Sequence, residues 1–505
     1  MSERDYERRW WTLGVLCLSL VMIVVANASL NVALPTLVKD LHAGASSLQW
    51  IVDAYSLVFA GLLLTSGALG DRYGRRLALN TGLTIFGVAS GVGAFATSAG
   101  QLIAVRAVMG VGASLVMPAT LSVLAHVFPP EERRRAIAIW AGFAGVGVAL
   151  GGVTSGWLLE HFWWGSIFLT NVGVVVIAIV AGAVLVPSSR DDHAPALDPL
   201  GAILSIAGLG ALVYAIIEAP DRGWTSTETL LSFGVALVVL AAFVIWELRA
   251  HEPMLDPRFF RNRVFTAATS SITLIFFVAF GMIFVLTQYL QLVLGYGPLE
   301  AGARVLPWAI TYMATASRSA KLVERWGQRR VVTSGMVIVA IGMLLMSANG
   351  VHANYPLLAA SMIVAALGQG LVTAPSTGAI IVSLPLNKAG VGSAVNDTTR
   401  ELGGALGVAV IGSLLASVFR HDMGGHFGSL GDALRAAQSL SPRAAAALTH
   451  SAKAAYVRGF DDTMLVVTGV SLLAAALVAW LLRPTPTDVP DLDLELEALT
   501  SDVAG

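Results

Sequence analysis

Asp53 and Arg106 are ionisable side chains set in runs that are otherwise apolar. A charge at the centre of a membrane-spanning helix costs roughly 2.5–3.5 kcal/mol, so such residues face protein or water and are candidates for chemistry. Asp53 falls about six residues into one apolar run and Arg106 about five into another, both roughly 7–9 Å from the same membrane face at 1.5 Å per residue. At matching depth, Asp53 is expected to bind a proton when desolvated and release it when Arg106 approaches. The plainer reading is a static ion pair, or two groups in separate water-filled vestibules. Asp397, Arg400 and Glu401 form a second constellation, roughly 9–15 Å in from the opposite face. Asp397 and Glu401 lie one helical turn apart, with Arg400 beside them, so one carboxylate can be neutralised while the other titrates. A solvated, merely anchoring helix end is the alternative.

Other residues suit conformational change or binding. Gly67, Asp71, Arg72, Gly74, Arg75 and Arg76 make a short loop whose glycines permit a tight connection and whose Asp71 can pair with a neighbouring cation in one state only. Anchoring by positive charge explains its arginines but not Asp71 or the glycines. Gly147, Gly151, Gly152 and Gly156 belong to a glycine-rich stretch, begun by Gly142 and Gly145, that makes one side of a helix small enough to pack closely and seal a half-channel. Asn27, Asn31, Gln288, Tyr289, Gln291 and Trp308 are candidates to line a cavity, where aromatic faces suit flat cationic molecules. Aromatic anchoring at the membrane interface is the competing role. No G-x-x-x-x-G-K-[ST], H-E-x-x-H or G-x-S-x-G motif is present, so neither ATP-driven work nor hydrolysis has visible residues. No cofactor or metal is expected, and Cys17, the single cysteine, excludes an internal disulfide.

The elements that must hold these residues are membrane helices. Charged residues are 12 % of the 505 and hydrophobic ones 56 %, against about 25 % charged in soluble proteins. The surface must therefore face lipid, and no basic stripe suggests nucleic acid. Fourteen stretches are long and apolar enough to span: 11–34, 48–70, 77–97, 102–127, 136–158, 165–187, 199–218, 229–247, 265–292, 302–319, 331–348, 356–382, 391–417 and 462–482. The span at 302–319, which carries Arg304 and Arg318, is the most polar. Arg4, Arg8 and Arg9 before an apolar run resemble a secretory signal, but the run continues to Leu34 and reads as a retained first span. Threaded alternately, the spans place most lysines and arginines on one side, which puts both termini in the cytoplasm. The long loop 418–461 is read either as an interfacial helix or as solvated chain, and the acidic tail 484–505 as disordered.

The sequence repeats internally. Gly67-Ala-Leu-Gly-Asp71-Arg72-Tyr-Gly74-Arg75-Arg76 is echoed by Ala320-Lys-Leu-Val-Glu324-Arg325-Trp-Gly327-Gln-Arg329, and Gly110-Val-Gly112 with Pro118 by Gly368-Gln-Gly370 with Pro375. This predicts a six-helix half over 1–190, two inserted helices over 191–263 and a second six-helix half over 264–483, with a substrate site near the midplane between halves. With Trp50-Ile-Val-Asp53-Ala-Tyr55, Gln288-Tyr-Leu-Gln291 and Asn396-Asp397-Thr-Thr-Arg400-Glu401-Leu-Gly-Gly404, nearly the whole chain resembles the major facilitator superfamily, and within it the fourteen-helix drug:proton antiporters of the EmrB/QacA type. The resemblance implies an all-α major facilitator fold in the plasma membrane and export of hydrophobic or cationic molecules in exchange for protons by alternating access. Two departures stand out. Ala26 occupies a position that carries an acid in many members, and Gly151-Gly152-Val-Thr-Ser155-Gly156 lacks the proline that usually follows the first glycine of the family's fifth-helix motif. The first makes a dedicated exporter of one natural product or lipid a live alternative. A membrane-embedded enzyme would need a clustered catalytic set, whereas these acids are scattered over separate helices.

Overall fold

A computed structural model describes residues 3–190, 197–351, 354–384 and 389–483. Among them the regular structure is helical: α1 (Glu3–Asp40), α2 (Ala45–Tyr73), α3 (Arg75–Gly93), α4 (Ala99–Val127), α5 (Pro130–His161), α6 (Ser166–Leu185), α7 (Pro199–Arg222) and α8 (Thr227–Arg249) precede α9 (Arg263–Gln288). There follow α10 (Pro298–Arg304), α11 (Leu306–Trp326), α12 (Gln328–Met346), α13 (Tyr355–Val382), α14 (Ala389–Asp422), α15 (Leu430–Ala437) and α16 (Pro442–Leu481). The boundaries follow ordinary helix chemistry. Ser98, Asp198, Ser226 and Asn354 cap the starts of α4, α7, α8 and α13 by accepting from backbone N–H groups. Gly74 and Gly327, with φ of +118° and +79°, make the one-residue breaks that end α2 and α11, a conformation that side-chain-bearing residues rarely adopt.

Among the described residues twelve helices are long and apolar enough to cross a membrane, two fewer than the fourteen expected. The expected spans at 77–97 and 302–319 correspond to α3 and to α10 with α11, which are helical but fall short in apolarity. Arg75, Arg76 and Asn80 lie in α3, and Arg318, Lys321, Glu324 and Arg325 in α11. The span expected at 302–319 is also broken at Val305, which joins α10 to α11. The last helix begins twenty residues earlier than expected, at Pro442, because the alanine-rich run continues helically into the apolar span. Of the helix or loop expected over 418–461, α14 takes the start to Asp422, the short α15 the middle and α16 the end from Pro442, with short turns between them. The tail over 484–505 lies outside the described residues.

Helix packing shows the same order twice. In the first bundle α2 packs on α4, α3 on α4 and α6, and α1 on α5 and α6. In the second, α11 packs on α13, α12 on α13 and α16, and α9 on α14 and α16. The α7–α8 hairpin stands outside both, with α7 lodged against α2 and α14 where the bundles meet.

Candidate functional site

The seam between the bundles runs along α2 and α14, and the ionisable residues converge on it. Small residues allow the approach that orders the local geometry. At Gly110 of α4 an added Cβ would lie 2.7 Å from the carbonyl oxygen of Tyr55, and at Gly412 of α14 it would lie 2.6 Å from Gln49 Nε2. Arg106 on α4 is buried to 1 % exposure. Its Nε donates to the carbonyl of Ile51 at 3.0 Å, one terminal nitrogen donates to Asn27 Oδ1 at 3.0 Å, and its guanidinium lies 4.3 Å from the centre of the Tyr55 ring. Arg106 thus reaches α2 on either side of Asp53, at Ile51 and Tyr55, without bonding to Asp53 itself. Arg106 is held by Asn27, Ile51 and Tyr55, while both carboxylate oxygens of Asp53 are buried without a hydrogen-bond partner among the described residues.

Asp53 lies on another face of α2. It is one turn from Gln49, whose Oε1 accepts from Ser413 of α14 at 3.2 Å, and one turn from Leu57, which clusters with Ala405 and Ala409 of the same helix. The 3.6-residue period therefore aims Asp53 at the α2–α14 seam. Glu401 on α14 approaches that seam from the other bundle. It is half-buried, its carboxylate nears the Ser56 hydroxyl, and it is within electrostatic reach of Tyr55 and Arg106. Asp397 accepts from Asn396 at 3.3 Å and is 3.7 Å from Arg400, whose guanidinium stacks 4.6 Å from the Phe276 ring centre. Arg400 and Asp397 thus form one unit with α9, leaving Glu401 as the acid that faces the first bundle.

The cavity candidates are placed differently. Asn27 is a partner of Arg106, and Asn31 Nδ2 donates to the Asn27 carbonyl at 3.1 Å. Gln288 donates to Phe284 in its own helix at 3.0 Å. Tyr289, just past the end of α9, stacks on Phe460 of α16 and donates at 2.6 Å to Gly350 in the connection between α12 and α13, all inside the second bundle. Gln291 instead donates across the bundles to the Val32 carbonyl at 2.8 Å. Trp308 is buried and stacked with Tyr312 at 5.8 Å.

Bonds between the bundles gather toward the face opposite the start of α1. Glu160 at the end of α5 accepts from Leu299 N at 3.2 Å and so serves the start of α10. Arg435 of α15 donates to the Val38 carbonyl at 2.9 Å. The glycines of α5 divide between two jobs: a Cβ at Gly147 or Gly151 would meet Val24 or Ala28 of α1, whereas one at Gly152 or Gly156 would meet Gly302 or Leu299 of the other bundle. Toward the face that carries the start of α1, the loop after α2 makes its bonds within the first bundle. Arg75 pairs with Asp71 at 2.8 Å, and Arg76 donates to Ala183 at 2.7 Å. Arg72 stacks loosely on Tyr73, 5.9 Å from its ring centre, and Gly67 makes ordinary contact with Pro118.

Gln49, Glu160 and Asp461 were not singled out from the sequence. Gln49 and Glu160 lie at the ends of expected spans, where polar residues are ordinary. Asp461 was assigned to the long loop but sits inside α16 near Tyr289, with one buried oxygen unpartnered.

Membrane-crossing helices in two bundles of like packing order, with ionisable groups in the seam, form the architecture of a membrane transporter. The chain belongs to the Major Facilitator Superfamily, whose family model matches residues 16–408. It is 36 % identical over 489 residues to the multidrug efflux pump LfrA of Mycolicibacterium smegmatis, covering 94 % of this chain and 97 % of that protein. It is 33 % identical to the methyl viologen resistance protein SmvA of Salmonella typhimurium, covering 94 % and 98 %. A bacterial homologue of the human lysosomal transporter Spinster, solved in an inward-facing unoccupied conformation, superposes with a TM-score of 0.68 at 16 % identity, over 96 % of this chain and all of that one, and so shares the fold.

Proposed function

We propose that this protein is a proton-coupled antiporter that exports hydrophobic or cationic small molecules from the cytoplasm by alternating access. Fourteen helices cross the plasma membrane in this reading, with both termini cytoplasmic. The two less apolar helices, α3 and α11, hold the places of a third and a second helix in the repeated packing order, α3 matching α12 and α11 matching α2. The halves are residues 1–190 and 264–483, with the hairpin of 191–263 inserted between them.

The observation that carries the mechanism is the α2–α14 seam. An ionised carboxylate buried without a partner is very costly, so Asp53 in this closed seam is read as carrying its proton. Separation of α2 from α14 on the outward side would hydrate Asp53 and release that proton. Glu401 is half-buried and reaches toward Ser56 from the inner side, so it can accept a proton or attract a cationic substrate. A proton and a cation competing for this acidic seam give exchange in opposite directions. Efflux activity is supported by the likeness to a multidrug efflux pump, LfrA, and a methyl viologen resistance protein, SmvA. The test is to add a lipophilic cation such as tetraphenylphosphonium to the purified protein in weakly buffered detergent. Proton release on binding is expected for the intact chain, reduced by half or more in Glu401→Gln; binding without proton release would count against antiport.

A further inference from the structure

The two copies of the repeated loop are not equivalent, and the second opens a site that the transport reading does not use. In the first copy Asp71 pairs with Arg75 at 2.8 Å, and Arg76 is tied to the end of α6 through the Ala183 carbonyl at 2.7 Å. In the second, the position matching Arg75 is Gln328, so Glu324 has no arginine one turn ahead to hold it. Arg329, the match of Arg76, instead lines a cavity of about 950 Å³ between the starts of α9 and α12 and the end of α16.

Four guanidinium side chains border that cavity, from Arg263, Arg329, Arg330 and Arg483, and among the described residues no acidic one does. Among the described residues none of the four has a hydrogen-bond or ion-pair partner. The start of α12 faces the same space without a side-chain cap, and its free N–H groups add to the pull on an anion. Thr333 Oγ1, also on the lining, is buried and unpartnered. The planar arginine fork can donate two parallel N–H bonds to a pair of phosphate oxygens. Below the cavity, α12 and α16 present Ile341 and Leu344, and Leu473 and Leu477, as exposed apolar surface, while Trp326 and Trp480 stand at the level where aromatic side chains mark a membrane interface. A basic pocket at the membrane surface, continued by apolar helix faces, suits a molecule with a phosphate head and hydrocarbon chains.

We propose that this cavity binds the phosphodiester headgroup of an anionic phospholipid from the inner leaflet, with its acyl chains laid along α12 and α16. The intact protein, in detergent, is titrated with phosphatidylglycerol, with phosphatidylcholine and with inorganic phosphate, and bound lipid is counted by native mass spectrometry beside thermal stability. Retention of phosphatidylglycerol over phosphatidylcholine is expected, weakened about 10- to 30-fold in the double variant R329Q/R330Q and largely kept in R329K/R330K. Should R329Q/R330Q fail to fold, R263Q/R483Q probes the other wall and is expected to weaken retention likewise. Equal retention of the two lipids, or retention indifferent to these variants, would overturn the proposal. Stabilisation by inorganic phosphate equal to that by lipid would reassign the site to soluble phosphates. A preference that emerges only after removal of residues 484–505 would assign the cavity to the chain's own acidic tail and overturn the lipid reading.

Discussion

Arg106 divides its guanidinium between a backbone carbonyl, an amide and an aromatic face, all contributed by the first bundle. That places it as the post on which α1, α2 and α4 are fixed, with a positive charge held toward Glu401. Replacement of Arg106 by Met removes the donor to Asn27 and leaves buried acceptors unpaired, which costs about 1–3 kcal/mol for each unsatisfied group. The expected outcome is a lower thermal midpoint in detergent together with loss of transport. Arg106→Lys is expected to recover stability only in part, because a single ammonium cannot reproduce the divided contacts of a planar fork. Asp53→Asn has the opposite profile. With no partner to lose, it is expected to unfold within a few degrees of the parent while gradient-driven transport falls at least about tenfold; a strongly destabilised Asp53→Asn protein would mean that the carboxylate has a structural partner in another state.

At the scale of the elements, α5 separates packing within a bundle from closure between bundles. Gly151 meets α1, where a Cβ would lie 2.6 Å from that of Ala28, while Gly156 meets α10, where a Cβ would lie 2.5 Å from Leu299 Cα. Gly151→Ala is therefore expected to destabilise the first bundle by roughly 1–3 kcal/mol, the usual cost of overpacking. Gly156→Ala instead wedges the bundles apart on the face opposite the termini. It is expected to shift the population toward a state open on that face, read as longer spin-label distances across the α5–α10 contact, with little loss of stability. Glu160→Ala removes the side chain that serves the start of α10 and is expected to shift the same distances in the same direction, by less. The glycines were legible in the sequence as a packing face, but their partition was not. Helical spacing tells which residues share a side, whereas the neighbour on that side is decided by tertiary packing. The same limit explains Arg106: its depth beside α2 followed from counting residues, but its partner did not, because Asp53 and Tyr55 lie at nearly one depth on different faces. Span ends were read least well where composition changes gradually, as at α10–α11 and along the alanine-rich start of α16.

On the scale of the whole molecule, the inserted hairpin lies where the bundles part. Ser413 of α14 donates to the Ile216 carbonyl of α7 at 2.9 Å, Trp224 donates to Ser417 at 3.0 Å, and Asp221 pairs with Arg420. These bonds fasten α7 to the second bundle, while Ser46 of the first donates to Asp221 at 3.0 Å. Asp221 thus bridges both, beside the closed end of the α2–α14 seam. The all-helical membrane architecture was plain from composition, and the two-bundle order from the repeated loop, since both are properties of long stretches. Closure of the seam on one face depends on how the helices of the two bundles pack, and no residue pattern encodes it alone. In the proposed mechanism protons drive export through the acids of this seam. Its most direct test reconstitutes the protein in liposomes, imposes a pH gradient and follows a fluorescent lipophilic cation, with the intact chain beside Asp53→Asn and Glu401→Gln. Uptake that follows the gradient in the intact protein and collapses in both variants is predicted; gradient-driven uptake undiminished in both would contradict it.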